Sequence, residues 1–276
     1  MSLAISPCPN DTFAFHALVH GLVPGAPAVD VTYADVDVTN TEAERGAYDL
    51  VKVSYAALPW LLDRYALLPC GGALGRGCGP LVLTRGETDP ERAVGGGTVA
   101  IPGERTTAYL LFRLWSEKFP PERTVIMPFD QIMGAVRNGE VAAGLVIHEA
   151  RFTYPSYGLH SVADLGEWWE RETGLPIPLG AILARRGPAG VDPAAAAGWI
   201  RESVRRAHTD PAASAAYVRD HAQEMEPEVI RRHIELYVNR FTEELGDEGY
   251  AAVDTLLRRA SAAGLTPPVA PDTLRN

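Results

Sequence analysis

TVAIPGERTTAYLLFRLWSEKFPPERTVIMPFDQIMGAVRNGEVAAGLVIHE (98–149) alternates strand-like and helix-like runs. TVAIPG (98–103), RTVIMPF (123–129) and VAAGLVIHE (141–149) are short apolar runs that read as strands. TTAYLLFRLWSEKF (106–119) and DQIMGAVRNG (130–139) are helical patterns set between them. Strands alternating with helices predict right-handed crossovers and mainly parallel sheets. The same alternation runs upstream, with strands at LAIS (3–6), VDVTYADV (29–36), YDLVKVS (48–54), YALLPC (65–70) and GPLVLTR (79–85). A helix is expected from Asp11 to His20, capped by Asn10 or Asp11, and another up to Arg45, capped by Thr39 or Asn40. Ser54 is expected to open a third.

GETDPERAVGGG (86–97) is polar and glycine-rich, as a loop or domain boundary would be. Downstream, HSVADLG (160–166) and PLGAILARR (178–186) read as strands with a Trp-rich helix between them. From Asp192 the pattern is helical. EVIRRHIELYVNRF (228–241) puts Ile230, Ile234, Tyr237, Val238 and Phe241 on one face. GYAAVDTLLRRA does the same with Val253, Leu256 and Leu257, and a proline-rich tail follows. No fixed-period repeat is visible. The expected architecture is α/β in two lobes. Residues 1–86 and 181–276 form a discontinuous lobe one with the C-terminal helices, and 87–180 form an inserted lobe two. GPLVLTR and PLGAILARR are the crossover strands. The active site is expected in the cleft between the lobes, because ligands of such folds lie beyond the C-terminal ends of strands.

The 276 residues suffice for two domains, and 46% apolar with 22% charged residues is a globular composition. No apolar run is long enough to span a bilayer. A net charge of −10 argues against nucleic acid as partner but permits a small anionic substrate held by local donors. Cys8, Cys70 and Cys78 give neither a disulfide framework nor a CxxC metal motif, as expected of a reducing cytoplasm. The N-terminal residues carry no basic segment, apolar segment or cleavage site, so no signal peptide is expected. No membrane partner is expected, and a homodimer is allowed for.

Five strand-end segments deserve inspection for chemistry: 6–11, 37–42, 52–57, 102–109 and 147–155. In PGERTTAY (102–109) a glycine turn leads into a helix whose first turn holds Thr106 and Thr107. Free N–H groups and two hydroxyls there could hold a carboxylate, or one Thr could simply cap the helix. Lys52 and Ser54 flank Val53 and point to the same side of their strand. A lysine among apolar residues needs a partner or a cleft rim, and Ser54 could be an N-cap. Asn40 could orient a substrate hydroxyl or cap its helix. His148 alone among the histidines directly follows a long apolar strand, where a neutral imidazole suits proton abstraction; a structural role is the alternative. HEARF is not HExxH, so no metal site is indicated. His16, His20, His160, His208, His221 and His233 read as helix or surface residues. GGALGRGCG (71–79) is a turn or hinge rather than a dinucleotide loop. Cys8 could be a nucleophile near a helix N-terminus, but no base is evident for it, so packing or substrate contact is expected.

Taken in order, SPCPNDTFAFHALVHG, KVSYAA, GGALGRGCGPLV, PGERTTAYLL, GLVIHEARFTYPSYGL and WWERETGLPIPLGAI resemble the 1,4-dihydroxy-6-naphthoate synthase family of the futalosine route to menaquinone. The resemblance covers most of the chain and fades after about Arg186. It implies a type II periplasmic-binding-protein-like fold with two lobes and a cleft. It implies a carbon–carbon lyase that converts cyclic dehypoxanthine futalosine to 1,4-dihydroxy-6-naphthoate, releasing a three-carbon fragment, dihydroxyacetone, without metal or organic cofactor. It assigns the proton-accepting histidine to His148 and substrate contacts to Lys52, Val53 and Ser54 and to Thr107 and Ala108. Thr106 adjoins that pair, and Asn40 lies in a less well-matched stretch.

Two other readings share the fold. Chorismate dehydratase also eliminates from an anionic ring, but SPCPNDTF and HEARFTYP favour the naphthoate synthase. A transporter's solute-binding protein would need an export signal and would have no use for His148.

Overall fold

The computed structural model describes residues 1–187, 190–222 and 226–275. Its strands are β1 (Ser2–Ile5), β2 (Asp30–Tyr33), β3 (Leu50–Ser54), β4 (Tyr65–Leu67), β5 (Ala73–Gly75), β6 (Leu81–Thr84), β7 (Thr98–Ile101), β8 (Arg123–Ile126), β9 (Ala143–Val146), β10 (His160–Asp164) and β11 (Ile177–Arg185). Two compact units form: unit 1 is Met1–Gly75 with Pro178–Asn276, and unit 2 is Arg76–Ile177. The first break falls after Gly75 rather than after residue 86. The GPLVLTR strand, β6, pairs antiparallel with β9 and with β10, and these hydrogen bonds commit it to unit 2.

Unit 1 holds a sheet ordered β2-β1-β3-β11-β4, with β5 also on β11. The β2-β1-β3 part is parallel, while β11 runs antiparallel to β3 and β4. Leu3, Ala4 and Ile5 of β1 are wholly buried, as a strand covered on both faces requires. Helices Pro9–Val19 and Pro193–Thr209 pack Phe15, Leu18, Ile200 and Val204 onto Leu3, Ile5, Leu50 and Ile182. Burying each such side chain contributes about 1.5–3 kcal/mol. Ser203 ties the two helices together, donating to the Ala14 carbonyl at 2.7 Å and accepting from Leu18 N–H at 3.2 Å.

Unit 2 repeats the plan in the order β10-β6-β9-β7-β8. Here β9-β7-β8 are parallel, and β6 and β10 are antiparallel to their neighbours. Each sheet is therefore mixed rather than mainly parallel. The antiparallel strands include β6, which opens unit 2 in sequence, and β11, which reopens unit 1. Gly144 of β9 lets helix Phe129–Asn138 lie close on the sheet. A Cβ there would stand 2.5 Å from the Ile132 side chain.

Several helix ends differ from expectation. The first helix begins at Pro9, with Cys8 at the cap position, so neither Asn10 nor Asp11 caps it. Proline at the first helical position needs no N–H partner and favours that start. The second helix runs Val36–Glu44, so Thr39 and Asn40 lie inside it and both are buried. The loop at 86–97 contains a short helix, Pro90–Val94, capped by Asp89. The helix expected over 228–241 runs Pro227–Tyr237 and stops there, and Asn239 starts a new short helix, Arg240–Glu243, with a reciprocal capping box.

Candidate functional site

In unit 1 the parallel strands β1, β2 and β3 end on one edge of the sheet, and three of the segments singled out in the sequence leave from there. Lys52, Val53 and Ser54 close β3 and are all buried, paired opposite Ile182, Ala181 and Gly180 of β11. The sequence holds only two lysines, Lys52 and Lys118. A lysine that is 7% exposed needs a counter-charge for its ammonium. The Asp11 carboxylate supplies it through Oδ1 from the first turn of helix Pro9–Val19. Asp11 is held from two further sides. Asn10 Nδ2 donates to Oδ1 at 2.8 Å and the Ser6 N–H to Oδ2 at 3.2 Å. Burial pushes the Asp11 carboxyl above its ordinary range, and Lys52 opposes that shift.

The Asn10 amide orientation follows from chemistry. An ionised carboxylate only accepts, so Nδ2 faces Asp11 and Oδ1 faces outward. His233 Nε2 lies 3.0 Å from that Oδ1 and is therefore the protonated ring nitrogen. His233 lies on a helix as expected, Pro227–Tyr237, but is 1% exposed and hydrogen-bonded in the interior.

Asn40 neither caps its helix nor stands apart from the strand ends. Its Nδ2 donates to Ser54 Oγ at 3.2 Å and its Oδ1 accepts the Ser54 N–H at 2.8 Å. Ser54 occupies the cap position of the turn Tyr55–Trp60 but makes no side-chain cap bond. Asn40 thus clamps the end of β3. Removing it strands the buried Ser54 N–H, which costs about 1–3 kcal/mol. Asn40→Ala is expected to lower the urea midpoint accordingly with an unchanged denaturant slope. A midpoint equal to the wild type's would refute the clamp.

In unit 2 the parallel strands β7, β8 and β9 likewise end on a shared edge. Thr106 caps helix Thr107–Trp115, donating to the Gly103 carbonyl at 2.7 Å and accepting the Tyr109 N–H at 3.1 Å. Its one hydroxyl proton is committed, so Thr106 acts as the cap. Thr107 and Ala108 follow it, both buried, as the first residues of the helix. His148 leaves β9 two residues after the strand ends. It is the one non-glycine with positive φ among the described residues, at 57°. Its ring packs against Phe129, centroids 4.9 Å apart at 58°. The left-handed conformation costs an L-residue roughly 1–2 kcal/mol. Strain of that kind concentrates where a side chain must be aimed.

Of the residues singled out from sequence, Asn40, Lys52, Val53 and Ser54 come together in unit 1. Thr106, Thr107, Ala108 and His148 share the strand-end edge of unit 2. Asp11, Asn10 and His233 were missed as a group. Burial pushes the Cys70 and Cys78 thiols up to about 12, so neither is a thiolate at neutral pH. Cys8 is buried at the start of helix Pro9–Val19. Neither unit taken alone gathers three metal-ligating side chains among the described residues. No helix among them is long and apolar enough to cross a membrane.

An α/β unit interrupted in sequence by a second α/β unit defines a class, the periplasmic-binding-protein-like folds. The alkanesulfonate-binding protein SsuA from Xanthomonas axonopodis pv. citri superposes with a TM-score of 0.71 at 14% identity, covering 97% of this chain and 94% of that one. Protein AF1704 from Archaeoglobus fulgidus gives a TM-score of 0.88 at 34% identity, covering 96% and 97%. The chain belongs to the menaquinone biosynthesis family, which matches residues 1–262, and is an enzyme of that biosynthesis. A Streptomyces coelicolor relative named 1,4-dihydroxy-6-naphtoate synthase is 61% identical over 99% of this chain and 97% of its own length. A Thermus thermophilus relative of the same name is 49% identical over 97% and 96%.

Proposed function

We propose that the protein is a carbon–carbon lyase that converts cyclic dehypoxanthine futalosine to 1,4-dihydroxy-6-naphthoate, releasing the remaining three carbons as dihydroxyacetone. The 61% identity to a synthase of that product, running over nearly the whole chain, carries the reading. Loss of the sugar-derived carbons lets the bicyclic ring become aromatic, so the chemistry needs proton transfer and orientation. His148 is the base. It takes a proton from the ring or from a sugar hydroxyl and starts a retro-aldol-type cleavage. Its position beyond β9 and its left-handed backbone support that role. A positioned base is worth about 10²–10⁴-fold. The first-turn N–H groups at Thr107 and Ala108 hold the substrate carboxylate, aided by the helix dipole. Lys52 and Ser54 steady oxyanion charge as it develops. Val53 lines the same strand end. The reaction is placed in the cytoplasm, consistent with three buried cysteines that form no disulfide.

Anaerobic incubation with cyclic dehypoxanthine futalosine, followed by mass spectrometry, tests the reading. The expected result is formation of 1,4-dihydroxy-6-naphthoate with an equimolar three-carbon product. Binding without turnover, or conversion of chorismate to 3-enolpyruvylbenzoate instead, would overturn it.

A further inference from the structure

We propose that His233, Asn10 and Asp11 are positioning residues that act in series to fix the Lys52 ammonium, with Gly180 leaving room for its stem. The inference deepens the proposed function and rests on Lys52 being a substrate contact.

Lys52 carries a flexible four-carbon stem and three ammonium N–H groups. Among the described residues Asp11 is its hydrogen-bond partner, leaving two donors for something else. A buried ion pair serving only the fold would be expected to satisfy its remaining donors too. The unmatched donors point to a ligand oxygen beyond the end of β3. Their direction depends on where Asp11 stands. Asp11 is held on one side by the Ser6 N–H and on the other by Asn10. Asn10 in turn is fixed by His233, which reaches it from helix Pro227–Tyr237, 223 residues away in sequence. On β11 the Lys52 stem passes close to Gly180, where a Cβ would stand 3.0 Å from Lys52 Cε. His233 and Gly180 therefore both constrain one ammonium, although neither residue bonds to it.

The two-lysine composition makes the test clean, because exposed Lys118 is an internal standard for buried Lys52. Wild type, His233→Ala, His233→Gln and Gly180→Ala are acetylated with limiting acetic anhydride under native conditions. Lys52 and Lys118 peptides are quantified by mass spectrometry, and kcat and KM for cyclic dehypoxanthine futalosine are measured alongside. The expected result is faster Lys52 labelling relative to Lys118 in His233→Ala and Gly180→Ala. Their kcat should fall about tenfold with KM little changed, since the misplaced donor serves developing charge. His233→Gln keeps an N–H donor for Asn10 and should restore both readouts. Should His233→Ala fail to fold, Gly180→Ala carries the test, because its added methyl crowds only Lys52 Cε, at 3.0 Å, and meets the Val53 carbonyl at an ordinary 3.6 Å. Wild-type labelling ratios in both variants would overturn the positioning chain. Altered labelling with wild-type kcat would overturn its link to substrate. Altered labelling in a protein whose wild type does not turn over the substrate would count against the proposed reaction and leave the chain standing.

Discussion

His148→Ala is expected to lose about 10²–10⁴-fold in kcat with substrate binding largely kept, the loss that follows removal of a positioned base. His148→Gly should lose as much activity yet unfold at a higher urea concentration than His148→Ala. The reason lies in the backbone. At φ 57° any residue with a Cβ is crowded against its own chain, and alanine inherits that crowding without the imidazole. Glycine adopts the conformation without strain, although its unfolded chain gains entropy. The balance favours glycine over alanine by about 1 kcal/mol. Paired urea titrations read this difference directly. If the glycine variant proves no more stable than the alanine variant, the left-handed backbone holds no strain and loses its value as a mark of function. If His148→Ala keeps wild-type kcat, the base is another group.

The alternation of strand and helix was legible because short apolar runs and 3.6-residue stripes have different periods. That alternation located every strand-end segment, and with them Lys52, Ser54, Thr107 and His148. The mixed direction of the sheets was not legible, since a strand's side-chain pattern carries no sign of which way its neighbour runs. Asp11 looked like a helix cap because the helix start was placed two residues late. With Pro9 at the first helical position, Asp11 is free to serve Lys52 instead. A lysine inside an apolar strand demands a counter-charge, but sequence does not say which carboxylate across 41 residues provides it. His233 does carry a signal in the sequence. It lies three residues after Ile230 and four before Tyr237, on the apolar face of its own helix, where a histidine is buried and must find a partner. The end of that helix is not legible in the sequence, because Asn239 reads as a tolerated helix residue until its cap bonds with Phe241 and Thr242 are known.

Lys52→Met should be the most destabilising single substitution at the site, by about 3–5 kcal/mol at pH 7. It leaves a carboxylate that is 1% exposed without its counter-charge. Asn10 Nδ2 and the Ser6 N–H still donate to Asp11, but two neutral donors do not replace an ammonium. Lys52→Met combined with Asp11→Asn should recover part of the loss, because the charge is removed with its partner, although the single amide oxygen can accept only one of the two bonds from Asn10 and Ser6. The pH dependence has a definite sign. Burial already raises the Asp11 carboxyl above 3.8 in the folded protein, and without Lys52 it rises further. A group raised on folding adds stability below its unfolded pKa and loses it as pH climbs through the folded one. The gap between wild type and Lys52→Met should therefore narrow from pH 7 toward pH 5, as the stranded carboxyl takes up a proton. Urea unfolding of both proteins and of the double variant at the two pH values measures it. An unchanged gap would mean that Asp11 stays charged without Lys52, held by Asn10 and Ser6 alone.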